Sequence, residues 1–330
     1  MKYRIGVDIG ATKTKILLIK REGTVLRREK ILTDSFGKVE PVIGRAGDMI
    51  EMILREEGVK LRDVEWVGVG TAGQLDPETG WIDNSPNLGW FGVQFGKKFE
   101  KRLGKKIRLV NDVNAAGWGE YIYGAGRGLK ELVAVYCGSG IGGGIVCNGE
   151  LVEGATGTAG EIGHLIFREN GLVCDCGHRG CHEAYAGGVP MENRMRKLVK
   201  AGKSRMVFNM VKGDLAKINT RTIADAARKG DKAAKLVWDD AVMSLCVLCA
   251  NLVSVFNPEV LVLGGGVIEG NPSLVPAVRS FVKKRAVDYS ARSVKIVKSG
   301  LAGDAIALGA AAMIEASRCK AGSGGRAGWR

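Results

Sequence analysis

The stretch Arg4-Ile5-Gly6-Val7-Asp8-Ile9-Gly10-Ala11-Thr12-Lys13-Thr14-Lys15-Ile16-Leu17-Leu18-Ile19-Lys20 decides the fold. Two apolar, β-rich runs flank a short Gly/Thr turn, which is the pattern of a hairpin. Asp8 stands at the end of the first run, beside the turn's backbone N–H groups and the Thr12 hydroxyl. Amides and a hydroxyl suit phosphate oxygens, and a carboxylate there suits magnesium, held directly or through water. Gly10, Thr12 and Lys13 complete this candidate nucleotide turn. The pattern recurs at Leu132-Val133-Ala134-Val135-Tyr136-Cys137-Gly138-Ser139-Gly140-Ile141-Gly142-Gly143-Gly144-Ile145-Val146-Cys147. Two such hairpins, one near the start of each half, predict a duplicated α/β fold with nucleotide between two lobes. Gly138, Ser139 and Gly140 form the second candidate turn.

A third glycine cluster, Gly264-Gly265-Gly266, follows the apolar strand Val260–Leu263. Small residues there let a flat ring or a ribose approach the backbone. A dinucleotide fold is the natural rival. It requires G-x-G-x-x-G opening a helix, and neither cluster fits that spacing.

The cysteines divide into two kinds. His164, Cys174, Cys176 and Cys181 are spaced H-x9-C-x-C-x4-C, in a polar, loop-like segment. Three thiolates and one imidazole make a closed tetrahedral zinc shell, which argues for a structural metal. His178 and His182 lie in or beside the same loop and compete with His164 as the nitrogen ligand. Glu161 and Glu183 flank the cluster, and Glu161-Ile162-Gly163-His164 lets a carboxylate and an imidazole face one small polar ligand. Cys246 and Cys249, spaced C-x-x-C, lie in the apolar run 241–256, where i and i+3 share a helix face. Core packing is the reading for that pair.

The chemistry candidate is Leu109-Val110-Asn111-Asp112-Val113-Asn114-Ala115-Ala116. A short strand delivers Asn-Asp at its end and a small-residue helix follows, so Asp112 is placed to accept a proton from a substrate hydroxyl. The plain structural alternative is a helix N-cap, at Asp112 or Asn114. Local sequence does not separate the two. Asn87, in the polar loop 83–90, is a candidate to read hydroxyl groups.

Composition sets the frame. A 330-residue chain with 45% apolar residues and only seven prolines can bury two cores. The formal charge of +14 lies largely in 192–229, in 283–298 and in the tail from Arg318. These basic runs carry only isolated aromatic residues, Phe208, Tyr289 and Trp329, so they read as solvated faces and no nucleic-acid partner is expected. Eight cysteines without an apolar leader point to a reducing cytoplasm. The run 241–256 is shorter than a membrane span and ends at Asn257-Pro258, so no membrane is expected.

Taken together, these stretches resemble the ROK family (repressors, open reading frames and sugar kinases), to about Ser317. The resemblance is carried by Asp8–Lys13, Pro86–Trp90, Asn111–Ala116 and Gly138–Gly144. Most specific is Ala159–His164 running into Cys174–Glu183. The turn Gly70-Thr71-Ala72-Gly73 departs from the pattern, lacking the proline common there, and the tail 318–330 lies outside the resemblance. The resemblance implies a two-lobed, actin-like, ribonuclease-H-like α/β fold whose interlobe cleft closes on ATP and a hexose. It divides the chain into a first lobe, 1–115, and a second, 116–303, with its zinc loop at 164–181. A C-terminal helix, about 304–317, returns to the first lobe, and the Gly- and Arg-rich tail 318–330 is expected to be disordered.

The same resemblance makes Asp112 the base that deprotonates the sugar 6-hydroxyl. It gives Asn87, Asn111, Glu161, His164 and Glu183 contacts to the other hydroxyls, and it assigns zinc to His164, Cys174, Cys176 and Cys181. Magnesium enters with ATP, and a homodimer or homotetramer is the expected assembly. Glucose is the expected sugar, with N-acetylmannosamine and N-acetylglucosamine as alternatives. A sugar-responsive transcription regulator is the rival of another class; it is disfavoured because the first hairpin starts at residue 4, leaving no room for a DNA-binding domain before it.

Overall fold

A computed structural model describes residues 2–34 and 36–322. The opening hairpin is present as β1 (Tyr3–Ile9) and β2 (Lys13–Lys20), antiparallel, closing at the Ile9–Thr14 pair. The Gly10 amide donates to the Lys13 carbonyl (3.1 Å) across the turn. β3 (Val25–Leu32) extends the hairpin, and β4 (Val64–Thr71) and β8 (Arg108–Asn111) continue on the other side of β1. The sheet order is β3-β2-β1-β4-β8, with β1, β4 and β8 parallel. Strands covered on both faces read as near-continuous apolar runs. β2 shows this, with Ile16, Leu17, Leu18 and Ile19 all buried.

One cover is α1 (Glu40–Glu56), which buries Val42, Ile43, Ala46, Ile50 and Ile53. The opposite cover includes the C-terminal helix α12 (Ala305–Gly322). Gly6 and Gly68 explain how closely it sits. A Cβ on Gly6 would stand 1.8 Å from the Ala307 carbonyl oxygen, and one on Gly68 1.9 Å from that of Ala310. Between β4 and β8 the chain builds a small antiparallel sheet, β5 (Gln74–Asp76), β6 (Trp81–Ser85) and β7 (Trp90–Gln94), followed by α2 (Phe95–Leu103). Trp90 stacks on Phe95, and Phe95 meets Phe99 edge to face, in the buried core beneath it.

α3 (Asp112–Tyr123) follows β8 directly. The second sheet has the order β11-β10-β9-β12-β13. Its strands are β9 (Leu132–Cys137), β10 (Ile141–Cys147), β11 (Glu150–Leu151), β12 (Val260–Gly264) and β13 (Lys295–Lys298). β12 lies parallel to both β9 and β13. Eight helices accompany it before α12: α4 (His182–Ala186), α5 (Gly188–Lys200), α6 (Arg205–Met210), α7 (Thr220–Arg228), α8 (Lys232–Phe256), α9 (Gly266–Gly270), α10 (Leu274–Arg285) and α11 (Asp288–Ser293).

The chain divides into two compact units, one of 1–130, 144–160 and 303 onward, the other of 131–143 and 161–302. The first division therefore falls after Lys130, where 115/116 was expected. α3 accounts for the shift, because it packs along α12 and Trp118 Nε1 donates to the Ala312 carbonyl (3.0 Å). α12 continues to Gly322, so 318–322 are helical where a disordered tail was expected. The rest of that tail, 323–330, lies outside the described residues.

α8 also corrects the sequence reading. It begins at Lys232, and by length and composition alone it could cross a membrane. Yet 61% of its apolar window is buried within the protein, which is the signature of a core helix. Cys246 and Cys249 are in that buried part, and burial pushes the Cys246 thiol up to about 11 and Cys249 well above the ordinary thiol range.

Candidate functional site

In the first unit the acidic group is built on β1, the start of α3 and the turn just before α12. Asp8 is half-buried and pairs in register with Lys15 on β2. Lys15 Nζ reaches Asp304 Oδ1 (2.9 Å) and the Gly303 carbonyl, and Arg28 Nε from β3 also donates to Asp304 (2.9 Å). Burial pushes the Asp8 carboxyl up to about 7; Asp112 and Asp304 add to this and Lys15 opposes it. Burial also works against ionisation of Asp304, but Arg28 and Lys15 outweigh it and hold that carboxyl below its usual range. Asp8 is thus a carboxylate whose charge is costly until a cation compensates it, which fits a magnesium donor. Thr12 and Lys13 are exposed on the turn. Thr33 ties the turn down, its Oγ1 donating to the Gly10 carbonyl (2.7 Å) and its amide to that of Thr12 (2.9 Å).

Asn111 caps α3, which neither candidate cap does. Its Oδ1 accepts from the amides of Val113 (3.0 Å) and Asn114 (3.2 Å), and its Nδ2 donates to the Gly73 carbonyl (3.4 Å). The reason is backbone geometry. Asn111 has the extended ψ of 139° that a cap requires, whereas Asp112 is already the first helical residue. Asp112 Oδ1 instead accepts from Val113 N (2.9 Å), in the first turn, where the helix dipole favours a carboxylate. Asn111, expected to touch sugar, thus spends one side-chain atom on the cap. Asn87 is exposed in the short turn Pro86–Leu88.

In the second unit His164, Cys174, Cys176 and Cys181 come together, their ligand atoms all within 4.8 Å of one another. Cys176 Sγ is 3.7 Å from Cys181 Sγ, and Cys174 Sγ is 3.7 Å from His164 Nδ1. Zinc–sulphur bonds of about 2.3 Å place two sulphurs of a tetrahedron about 3.8 Å apart, so the four donors fit zinc. The competing histidines stand apart from this group. His182 is buried with Nδ1 against Ser244 Oγ (2.9 Å), and His178 is exposed. Burial pushes the Cys174 thiol up to about 12 and raises Cys181, a cost that a bound cation would offset.

His164 turns its other nitrogen, Nε2, toward Glu161 (3.8 Å). The Glu161 carboxyl is raised, by burial first and by Glu183 second, with His164 acting against them. Glu183 connects this cluster to the glycine turn. Its Oε2 accepts from Ile141 N (2.7 Å), and its Oε1 lies 3.9 Å from Cys174 Sγ. Gly138 and Ser139 accept through their carbonyls from Gly188 N (2.9 Å) and Val189 N (3.0 Å), at the start of α5.

In the third glycine cluster, packing within the protein itself requires glycine at two of the three positions. A Cβ on Gly264 would meet the Tyr136 ring at 2.5 Å, and one on Gly265 the Cys137 carbonyl oxygen at 2.4 Å. Those spaces are filled by the protein itself. Only Gly266 opens onto free space. Sequence reasoning also missed Lys15, Arg28 and Asp304, although a lysine inside the apolar run of β2 was a visible signal.

Two α/β units, each opened by a hairpin with a glycine turn, and an aspartate delivered at a strand end define the actin-like ATPase class of sugar kinases. The chain belongs to the ROK family, whose model matches residues 4–317. It is 36% identical over 315 residues to a glucokinase of Thermotoga maritima, covering 94% of this chain and 96% of that protein. Among solved structures it is similar to a ROK glucokinase from Streptomyces griseus in complex with glucose and AMPPNP (31% identity, TM-score 0.77, 94% of this chain and 98% of that one). It is also similar to a ROK hexokinase from Thermus thermophilus (28% identity, TM-score 0.77, 98% and 100% of the two chains).

Proposed function

We infer that this chain is an ATP-dependent hexose kinase that transfers the γ-phosphoryl group to the 6-hydroxyl of glucose. The observation that carries the reading is Asp112, a carboxylate fixed by Val113 N at the first turn of α3, in a chain 36% identical to a glucokinase along nearly its whole length. Phosphoryl transfer is mostly positioning plus charge stabilisation, so the residues need do little covalent chemistry. Asp112 accepts the proton of the attacking hydroxyl. Asn87, Asn111, Glu161, His164 and Glu183 hold the remaining hydroxyls. The turns Gly10–Lys13 and Gly138–Gly140, with Gly264–Gly266, take the nucleotide, Gly266 being the member open to close approach.

Magnesium carried by ATP and held through Asp8 would neutralise charge on the transferring group. Zinc on His164, Cys174, Cys176 and Cys181 would supply rigidity and no redox chemistry. With Nδ1 on the thiol side, His164 keeps Nε2 for Glu161 and for sugar. The thiols of Cys137, Cys174, Cys176, Cys181, Cys246 and Cys249, outside any disulfide, suit a cytoplasmic setting, and a homodimer or homotetramer is the assembly we propose.

A panel of glucose, mannose, fructose, N-acetylmannosamine and N-acetylglucosamine with ATP, read by ADP release, tests the reading. Glucose is expected to give the highest kcat/KM. No sugar-dependent ADP release from any of them would sink the kinase assignment, and a preference for N-acetylmannosamine would correct the substrate.

A further inference from the structure

A cavity of about 380 Å³ lies in the first unit, lined by Gln74, Leu75 and Asp76 of β5, Trp81 and Asp83 of β6, and Thr156 with Thr158. None of the residues given above to sugar, nucleotide or metal lines it. Alternation along β6 puts Trp81 and Asp83 on one face. Trp81 leaves 39% of its surface exposed there, unusual for the largest apolar side chain. The loop carrying the two threonines is seated on β5. Gly157, at φ +79°, has the Leu75 carbonyl oxygen 3.1 Å from where its Cβ would be.

The chemistry of the lining selects a ligand class. Thr156 and Thr158 pair through their hydroxyls (2.8 Å), so one hydroxyl proton is spent between them and their remaining lone pairs face outward. Asp76 and Asp83 offer acceptors, Gln74 both donor and acceptor, and Trp81 an apolar ring face. Among the described residues no lysine or arginine lines the cavity, which disfavours phosphate, sugar phosphate or nucleotide. A metal cation is disfavoured as well. The Asp76 oxygens already accept from Glu78 N (2.8 Å), Thr79 N (3.3 Å) and Thr79 Oγ1 (2.7 Å). A neutral molecule with an apolar ring face and hydroxyls around its edge matches the tryptophan face and the mixed donors and acceptors that are left. The volume is at the lower end of small-molecule sites, about 300–1,000 Å³, and suits one sugar ring.

We propose that this cavity is a second carbohydrate site, in which one neutral hexose lies on Trp81 and is hydrogen-bonded by Asp83, Gln74 and the Thr156–Thr158 pair. The site is open and shallowly lined, so its affinity is weaker than that of the catalytic sugar site, and it does not take part in turnover. Equilibrium dialysis of the full chain with labelled glucose, without nucleotide, tests the proposal. Two glucose molecules per chain are expected, the weaker one lost in both Trp81→Ala and Asp83→Ala, with kcat and KM for glucose unchanged. Asp83 is exposed, so its variant reports on the site even if the tryptophan variant folds poorly. Glucose 6-phosphate is expected to displace only the tighter molecule, because the cavity offers its phosphate no cation.

A single glucose per wild-type chain that both variants retain, or two in the wild type and in both variants, overturns the proposal. So does loss of turnover in folded Asp83→Ala, which would assign the lining to the catalytic site. Failure of the kinase reading removes the tighter glucose and leaves the weaker; failure of this inference does the reverse.

Discussion

Glu183 closes over Gly140. Its Oε2 takes the amide of Ile141 at 2.7 Å, and a Cβ placed on Gly140 would stand 2.2 Å from that same oxygen. The glycine turn and the carboxylate beside the zinc-type cluster are therefore one unit of geometry. Glycine at position 140 is required by that carboxylate, whatever the turn binds.

Gly140→Ala should accordingly act on the turn and on Glu183 together. The methyl group forces the carboxylate to swing away and leaves Ile141 N without its charged acceptor. Hydrogen bonds to charged groups contribute about 1.5–3 kcal/mol. We expect kcat/KM to fall about 10- to 100-fold with metal content unchanged, since no zinc-type donor is altered. Kinetics at the wild-type level would show that Glu183 is not needed in its present position.

Asp112→Asn separates proton acceptance from binding. The amide oxygen can still take the Val113 amide that now binds Asp112 Oδ1 (2.9 Å), and Asn111 still caps α3, so the helix start should survive. We expect turnover to be abolished and glucose binding to stay within about tenfold, roughly 1.4 kcal/mol. Single-turnover ADP release together with a glucose titration reads both quantities. Substantial kinase activity in this variant would remove Asp112 from the role of base.

The sequence made some of this architecture plain and hid the rest for physical reasons. Both hairpins were legible because a glycine turn between β-rich runs is a local signal, as at Gly10–Lys13 and Gly138–Gly140. The four zinc-type donors were legible because their spacing is unusual and their segment is polar. Choosing His164 over His182 required tertiary structure, since only the fold reveals that Ser244 occupies the His182 ring. Whether position 111, 112 or 114 caps α3 depended on a single ψ angle, below the resolution of any pattern. The glycines at 264 and 265 read as room for a ligand; the fold adds a packing reason that the sequence did not show, because Tyr136 and the Cys137 backbone, distant in sequence, stand where a Cβ would be.

Cys176→Ala tests the metal cluster cleanly because Cys176 is exposed while Cys174 and Cys181 are buried. Truncating an exposed thiol opens no core cavity, so any large effect reports the lost donor rather than lost packing. We expect zinc and glucose phosphorylation to be lost together, with metal analysis and ADP release falling in parallel. Burial raises the thiols of Cys174 and Cys181, so zinc binding must displace protons and should weaken steadily as pH falls. Full activity in a zinc-free preparation would make the cluster dispensable.

Asp8 gives the metal-free protein a pH dependence opposite in sign to that of an ordinary paired carboxylate. Its carboxyl titrates near 3.8 when exposed and is pushed up to about 7 in the fold, chiefly by burial and then by Asp112. Between those values the folded chain holds a proton that the unfolded chain has released. Stability from this group is thus fully present below about pH 4 and lost as pH rises through 7. Without magnesium, wild-type Tm should fall from pH 5 to pH 8 by more than that of Asp8→Asn, which has no proton to lose there. At pH 8 the variant should be the more stable of the two, and adding Mg2+ with ATP should raise Tm more in the wild type than in the variant. Thermal unfolding of both chains across this range, with and without Mg2+ and ATP, decides the matter, and parallel pH profiles would mean that Asp8 remains ionised in the folded chain.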